Sequence, residues 1–269
     1  GATSSSKDVA VSGKYIDAIT LEDAIDGSGG LASNFALPNL DAQNAPVTIN
    51  AKTVGLSANR IYDGSEILSG SDVSIATGII GETLNYSGAT SSSKDVAVLG
   101  KYIDAITLED AVDGSGGLAS NYQLPSLDSL NSLVSITPKV VVLSAEKIYD
   151  AVLTLAGSDV VISTGVGEEK LSYSGATASS KDVAVSGKYI DAITLEDSND
   201  GSGGLASNFS LPVLDELNAP VEIEPASLFV QALNEVKTYG RDAILDENIF
   251  EVRGLKGDEQ ITNVFLQSD

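Results

Sequence analysis

The chain has 269 residues, and its 38 acidic against 15 basic side chains give a formal net charge of -23 and an isoelectric point near 4.1. This excess of acid excludes a nucleic-acid binder, because phosphate neutralisation needs clustered Lys and Arg, and it makes the chain repel anionic membranes. The sequence has no His, Cys, Met or Trp, and so lacks the usual near-neutral acid–base group, the thiolate nucleophile and the common zinc ligands. We therefore expect no enzyme and no catalytic, cofactor-binding or metal-binding residue.

The sequence repeats itself with a period of 87 residues. Gly-Ala-Thr begins at Gly1, Gly88 and Gly175, and the tyrosine of Lys-Tyr-Ile-Asp-Ala recurs at Tyr15, Tyr102 and Tyr189. Polar, proline-ended stretches at 39–46 and 213–220 read as linkers, and they fix the predicted phase of the repeat.

Residues 1–46 are predicted to be the C-terminal half of a repeat, since they match the back half of the copies that follow. The first residues, GATSSSKDVA, lack the charged-then-apolar layout of a signal peptide. We expect the sequence to be an interior piece of a longer polypeptide. No apolar run approaches the length of a membrane span, so membrane insertion is not expected.

Residues 47–133 form the first predicted complete repeat. Short apolar alternations and turn residues place strands at 53–61, 73–75, 84–86, 94–99, 102–108 and 120–124. Seven or so short strands with frequent turns are typical of a β-sandwich. Without cysteine, each copy must be held together by its own hydrophobic core.

Residues 134–220 form the second predicted complete repeat, and residues 221–269 the N-terminal part of a related but distinct domain. The Lys-Thr-Tyr-Gly turn at 237–240 comes three residues later than the period requires. The predicted fold is all-β: tandem immunoglobulin-like β-sandwich repeats strung into an elongated rod. Prolines at the predicted junctions restrict the backbone and favour a semi-rigid rod, namely Pro46, Pro125, Pro212 and Pro220.

The order of motifs within one copy resembles a known family. RIYDG at 60–64, LNYSGATSSSKDVAVLGKY at 84–102 and LASNYQL at 118–124 are similar to the YDG-type repeats of large bacterial surface adhesins that look like filamentous haemagglutinins. KTYG at 237–240 and EVRGLKGDEQITNVFLQ at 251–267 resemble the neighbouring MBG-type, or YGX, repeat. The second copy departs from the name-giving motif with Ala151 in place of glycine, which argues against a left-handed turn there.

The resemblance implies a structural stalk or spacer in a secreted adhesin or biofilm-matrix protein at the bacterial cell surface, projecting a distal binding region. Neighbouring repeats of the same chain are then the expected partners, with exopolysaccharide or other adhesin chains as further candidates. Two alternatives stay open: carbohydrate-binding repeats that contact exopolysaccharide directly, with avidity from many copies, and a self-assembling extracellular filament subunit.

The acidic, glycine-rich segment LEDAVDGSGG at 108–117 recurs at 21–30 and 195–204. Its oxygen-rich loop would suit calcium, but the spacing is not that of an EF-hand, and we favour a glycine-rich turn at the end of a strand. A phosphate loop is excluded for GSGG, because the segment lacks the lysine and is surrounded by acids.

Three further features have a structural and a functional interpretation. The aromatic residue after Ala-Ser-Asn is expected in the core rather than in a ligand stack, and it is Phe35, Tyr122 and Phe209 in the three copies. Tyr62 and Tyr149 stand beside a turn whose aspartate can cap its own backbone. The Ser/Thr-rich stretch at 89–95 is either a polar strand edge or a place for glycans or sugar contacts.

Overall fold

The computed structural model describes residues 1–234, 236, 238–240 and 250–262. Regular structure in these residues consists of β-strands and of 3-10 turns at Ala32–Asn34, Ala119–Asn121 and Ala206–Asn208, which confirms the all-β prediction. Two compact units are present, Gly1–Thr137 and a second one beginning at Pro138. Within the described ranges, no helix has the length and apolar character needed to cross a membrane.

The strands of the first unit, in chain order, are β1 (Ala2–Ser4), β2 (Ile16–Ile19), β3 (Lys52–Thr53), β4 (Gly55–Ile61), β5 (Val73–Ala76), β6 (Asn85–Ser91), β7 (Ile103–Glu109), β8 (Tyr122–Gln123) and β9 (Val134–Thr137). Those of the second unit are β10 (Lys139–Val140), β11 (Val142–Ile148), β12 (Val160–Ser163), β13 (Ser172–Ala178), β14 (Ile190–Glu196), β15 (Phe209–Ser210), β16 (Val221–Glu224), β17 (Phe229–Ala232) and β18 (Phe250–Arg253).

Each complete repeat has the same three sheets. In the first unit, β4 pairs antiparallel with β5 and parallel with β9, while β6 pairs antiparallel with β7 and β3 pairs parallel with β8. The second unit repeats this with the order β12-β11-β16, the pair β13-β14 and the pair β10-β15. The β6-β7 register shifts between Ser87 and Thr90, beside Gly88 at a φ of 61°. Glycine at this position allows the bulge, because φ is positive there.

Side chains alternate between core and solvent along the strands, as a period of two residues requires. Strand β4 buries Leu56, Ala58 and Arg60 and exposes the residues between them. The apolar core of the first complete repeat also contains Val54, Tyr62, Leu68, Val73, Ala89, Ile103, Ile106, Tyr122, Val134 and Ile136. Equivalent residues fill the core of the second repeat, among them Leu143, Leu155, Ile190, Phe209 and Ile223.

Strand pairing places the end of the first complete repeat at Thr137, where the sequence analysis placed it at residue 133. Ala58 of β4 lies opposite Val134 of β9, and the backbone N–H of Val134 donates to the carbonyl of Lys101 at 2.9 Å. The run that was predicted to open residues 134–220 therefore closes the repeat before it. In the same way β16 pairs with β11 and continues the second repeat to Glu224 rather than to residue 220.

Residues 1–46 contain β1 and β2, which pair antiparallel with Ala2 opposite Ile19. Strands β1 and β2 have three and four residues, whereas β6 and β7, their equivalents in the complete repeat, have seven each. Phe35 is 70% exposed, whereas Tyr122 and Phe209 are 7% and 6% exposed. In the complete repeats this aromatic residue begins β8 or β15, which pair with β3 and β10.

The strand predicted at 94–99 is wrong. This segment is a loop between β6 and β7, and Val98 and Leu99 are 44% and 93% exposed. Two carbonyls of the loop, those of Val96 and Val98, accept hydrogen bonds from Lys101 Nζ at 3.0 and 2.5 Å. Because the lysine side chain donates to both carbonyls, this segment forms a turn and not a strand, although its apolar residues alternate.

The end of the chain forms a separate small sheet in which β17 pairs antiparallel with β18, with Phe229 opposite Arg253. The predicted turn at 237–240 is described in part, with Gly240 at a φ of 86°. Residues 235, 237, 241–249 and 263–269, including part of the MBG-like motif at 251–267, lie outside the described residues.

Candidate functional sites: acidic loops, turns and the inter-repeat surface

The acidic loop of the first complete repeat uses its carboxylates to hold itself in shape. Asp113 accepts the backbone N–H of Ser115 at 2.9 Å and the hydroxyl of Thr83 at 2.6 Å, while Asp110 accepts the N–H of Ala119 at 2.7 Å. The second repeat has the same bonds from Ser202 to Asp200 and from Ala206 to Asp197. These carboxylates are capping groups of a glycine-rich turn.

The pKa values of the loop acids fit that role. Hydrogen bonds from the Thr83 hydroxyl and from Ser115 lower the pKa of Asp113 from 3.8 to about 2. The side chain of Ser198 and the backbone of Ser202 lower the pKa of Asp200, and Ser28 lowers that of Asp26 in the half-repeat. The pKa values of Asp41, Glu82 and Asp150 are likewise lowered. A glycosidase-type general acid would need the opposite shift.

The calcium interpretation of these loops depends on how their carboxylates are arranged. Among the described residues, no group of three or more Asp or Glu side chains comes close enough together to hold a metal ion. Calcium takes six to eight oxygen ligands, whereas the loop carboxylates already accept hydrogen bonds from their own turn. The geometry favours the glycine-rich turn over the calcium interpretation.

One glycine of this loop is required by a close approach. A Cβ on Gly117 would lie 1.9 Å from the carbonyl oxygen of Thr83, and a Cβ on Gly204 would lie 1.9 Å from that of Lys170. The loop therefore packs its last glycine directly against the segment that leads into β6 or β13. The sequence showed the glycine cluster but not which member carries this constraint.

The turn that follows Tyr62 in the first repeat and Tyr149 in the second is stabilised by a buried basic side chain. Lys147 is 6% exposed, and its Nζ donates to the carbonyls of Val152 and Thr154 at 3.2 and 2.8 Å and pairs with Asp150 at 2.7 Å. In the first repeat Arg60 occupies this position and pairs with Asp63. The predicted aspartate cap is present in both copies, as Ser65 and Val152 donate their N–H groups to Asp63 and Asp150.

Ala151 adopts the left-handed conformation that the sequence analysis argued against. Its φ is 71°, close to the 82° of Gly64 at the same place in the first repeat. The cap by Asp150 and the ion pair with Lys147 hold the turn although alanine is disfavoured there.

The aromatic residues take structural positions. Tyr122 and Phe209 are buried, which agrees with the prediction of a core role, whereas Phe35 is 70% exposed, so the prediction is wrong for this copy. The hydroxyl of Tyr122 is not idle, since it donates to Glu82 at 2.7 Å. Tyr62 is buried, with Lys94 Nζ 5.9 Å from its ring centre, and Tyr149 donates its hydroxyl to Glu259 in the last segment of the chain.

The hydroxyls of the Ser/Thr-rich stretch at 89–95 bond within the domain. Thr90 donates to Asp104 at 2.5 Å, Ser91 donates to the carbonyl of Ser93 at 2.8 Å, and Ser92 accepts the N–H of Tyr102 at 3.1 Å. Engaged hydroxyls favour a polar strand edge and loop over a site for glycans or sugar contacts.

A contact surface joins the half-repeat to the first complete repeat within the first unit. We call it the inter-repeat surface, and it consists of Lys7, Asp8 and Val9 on one side and Glu82, Asn121 and Tyr122 on the other. Lys7 pairs with Glu82 at 3.2 Å, and Asn121 bonds both Asp8 and Val9. A cavity of about 270 Å³ adjoins it, lined also by Ile49, Asn50, Lys52 and Ile79. Asn121 and Glu82 could not be recognised from the sequence, because a repeat period shows which residues recur but not which residues they contact.

Comparison with known protein families, curated proteins and solved structures gives no match. The resemblance to YDG-type and MBG-type repeats stays a prediction that depends on the motifs alone.

Proposed function

We propose that the chain is a run of spacer repeats: immunoglobulin-like β-sandwiches, strung into an elongated rod, that act as a stalk in an extracellular bacterial adhesin or biofilm-matrix protein. The observation that carries the proposal is that each complete copy repeats the same strand pairings and buries its own apolar core. Domains that each have their own hydrophobic core increase the length of a protein when they are joined in tandem. The stalk is therefore not expected to have enzymatic activity.

The use of the acidic side chains supports the same conclusion. The loop carboxylates cap their own turns, and the remaining excess of negative charge keeps a long extracellular chain soluble and discourages lateral association. Neither arrangement provides convergent groups for catalysis.

Direct binding of exopolysaccharide is the competing function. A cleft of about 600 Å³ opens in the second repeat and is lined by Tyr173, Lys170 and Asn199 among others. The hydroxyl of Tyr173, however, donates to the carbonyl of Gly157 at 3.1 Å, so the ring is held as part of the domain. Sugar sites usually offer an exposed aromatic face for stacking, and this cleft favours a spacer over a lectin.

The length of the molecule tests the proposal. A second copy of residues 138–224, inserted directly after Glu224, should increase the maximum dimension measured by small-angle X-ray scattering by roughly 30–40 Å. Sedimentation velocity should show an elongated monomer at all concentrations. A compact particle whose maximum dimension does not grow would exclude the stalk. Concentration-dependent polymers would support the filament alternative instead.

A further inference from the structure

We propose that the inter-repeat surface is a specific docking surface, by which the Lys7–Val9 loop of one repeat fixes the orientation of the repeat that follows it. The inference deepens the proposed stalk function, on which it rests, by naming the residues that stiffen the stalk. Its partner is a neighbouring repeat of the same chain, recognised through one asparagine amide and one carboxylate.

Asn121 supplies the directional part of the contact. Its Oδ1 accepts the backbone N–H of Val9 at 2.7 Å, and its Nδ2 donates to Asp8 Oδ1 at 2.8 Å. Both ends of one planar amide are therefore engaged by consecutive residues of the other side. Such paired hydrogen bonds restrict rotation as well as separation, because both must keep their geometry at once.

The asparagine is held in place by its own repeat. Asn121 ends the 3-10 turn Ala119–Asn121, and its backbone N–H donates to the carbonyl of Leu118 at 2.9 Å. The start of the turn is held by Asp110, which accepts the N–H of Ala119 at 2.7 Å. The acidic loop thus positions the docking residue.

Glu82 supplies the second point of contact. One of its carboxylate oxygens accepts the hydroxyl of Tyr122 at 2.7 Å, and the other pairs with Lys7 at 3.2 Å. The Glu82 side chain is 16% exposed, whereas that of Lys7 is 75% exposed. Since an exposed ion pair contributes little, the lysine orients the loop and the asparagine carries most of the specificity.

The docking loop is ordered within the half-repeat. Lys14 is 8% exposed and its Nζ donates to the carbonyl of Val9 at 3.1 Å and to that of Val11 at 2.5 Å. The N–H of Asp8 donates to the hydroxyl of Ser6 at 3.1 Å. A loop held in this way loses little conformational entropy when it docks, which favours a stiff joint.

The residue types of the surface belong to the repeated sequence. Lys, Asp and Val recur one period later at Lys94, Asp95 and Val96, and Glu and Asn recur at Glu169 and Asn208. The aromatic position alone changes, from Tyr122 to Phe209. These residue types are therefore part of the repeated sequence.

The absence of cysteine allows a clean distance measurement on the full chain. Spin labels at Ala18→Cys in β2 and Ser74→Cys in β5, both exposed positions, report the orientation of the half-repeat relative to the complete repeat. Double electron–electron resonance should give a narrow distance distribution for the parent. With Asn121→Ala, the width of the distribution should increase at least twofold.

Asn34→Ala is the matched control, because Asn34 ends the same turn in the half-repeat and its side chain is exposed. The control should leave the width unchanged. Asp8→Ala removes the acceptor from the other side of the contact and should broaden the distribution as well, so that the test does not depend on the folding of the Asn121 variant. Circular dichroism verifies that each variant is folded.

A parent distribution that is already broad, or a width that neither Asn121→Ala nor Asp8→Ala changes, would overturn the docking surface. Either result leaves an elongated monomer in sedimentation untouched, so the stalk would survive without its joint. A compact or polymeric parent in sedimentation would instead exclude the stalk itself, whatever the distance distribution shows.

Discussion

At the scale of the single residue, Ala151 carries a backbone conformation that its side chain disfavours. A φ of 71° places it in the left-handed region, where Gly64 lies in the other complete repeat at 82°. For an L-residue this conformation costs about 1–2 kcal/mol, and the hydrogen bonds of the surrounding turn stabilise it despite the strain. The Lys147–Asp150 ion pair, 2.7 Å long, is part of that turn.

Ala151→Gly should therefore increase the free energy of unfolding of the second repeat by about 1 kcal/mol, since the relieved strain exceeds the added entropy of a glycine in the unfolded chain. Gly64→Ala is the matched control in the first repeat and should lower the free energy of unfolding by a similar amount. Urea denaturation of the full chain measures both. A destabilised Ala151→Gly variant would show that the turn gains more from the Cβ than it loses by strain.

The same position shows a limit of interpreting a sequence residue by residue. The replacement of glycine by Ala151 argued against a left-handed turn, yet the fixed spacing of the flanking strands and the Asp150 cap require it. The aspartate cap itself followed from the sequence, because an Asx turn is local chemistry. The conformation of Ala151 depends on the two strands that the turn connects, which no single-residue preference encodes.

At the scale of the strand and turn, one aromatic position differs in burial between the half-repeat and the complete repeats. Phe35 of the half-repeat is 70% exposed, whereas Phe209 of the second complete repeat is 6% exposed. The two residues are chemically identical and occupy the same place in the repeat. What differs is the burial of the ring.

Phe209→Ala should lower the free energy of unfolding of the second repeat by about 3–5 kcal/mol, because it removes a buried ring and leaves a cavity. Phe35→Ala, the matched control, should change stability by less than about 0.5 kcal/mol, since its ring already faces solvent. Hydrogen exchange followed by mass spectrometry assigns the effect to each segment. Equal losses of protection in the two variants would contradict the core role of Phe209.

Most strands could be predicted from alternation and turn residues, as those near 53–61, 73–75, 102–108 and 120–124 show. The strand prediction at 94–99 is wrong for a specific reason. Lys101 Nζ donates hydrogen bonds to the carbonyls of Val96 and Val98, so these carbonyls do not pair with a neighbouring strand. The end of the first complete repeat was predicted at residue 133 instead of Thr137 because the strand that closes the repeat makes a long-range pairing. Val134–Thr137 pairs with a strand about 75 residues earlier in the chain, and the order of a parallel ladder cannot be inferred from local pattern.

At the scale of the whole molecule, the repeat distributes the same stabilising acids along the chain. Asp26, Asp113 and Asp200 occupy one position in the three copies, and each accepts the backbone N–H of the serine two residues on. The pKa of each is lowered, and the hydroxyl of a neighbouring serine or threonine is the largest cause. The sequence predicted that these loops are turns, but not that their acids are the caps.

A lowered pKa in the folded state makes the stability of the chain depend on pH with a definite sign. The folded state keeps these carboxylates ionised below the ordinary pKa of 3.8, so their contribution is complete above about pH 4. It is lost as the pH falls through the pKa of the folded state, which is about 2 for Asp113. Stability should thus fall between pH 4 and pH 2.

Replacing all three residues, as Asp26→Asn, Asp113→Asn and Asp200→Asn together, should flatten this fall and lower stability at pH 6. The matched control removes the same number of charges from exposed positions in the same segment, as Glu22→Gln, Glu109→Gln and Glu196→Gln. Midpoints of urea denaturation at pH 6 and pH 2.5, measured for the parent and for both triple variants, distinguish turn capping from total charge as the source of the pH dependence. The control variant should show the same dependence of stability on pH as the parent. Removing these exposed charges reduces the repulsion among like charges in a chain of net charge -23, and this acts through the total charge and not through the caps. If both triple variants flatten the pH dependence equally, bulk charge and not turn capping sets the acid stability of the molecule.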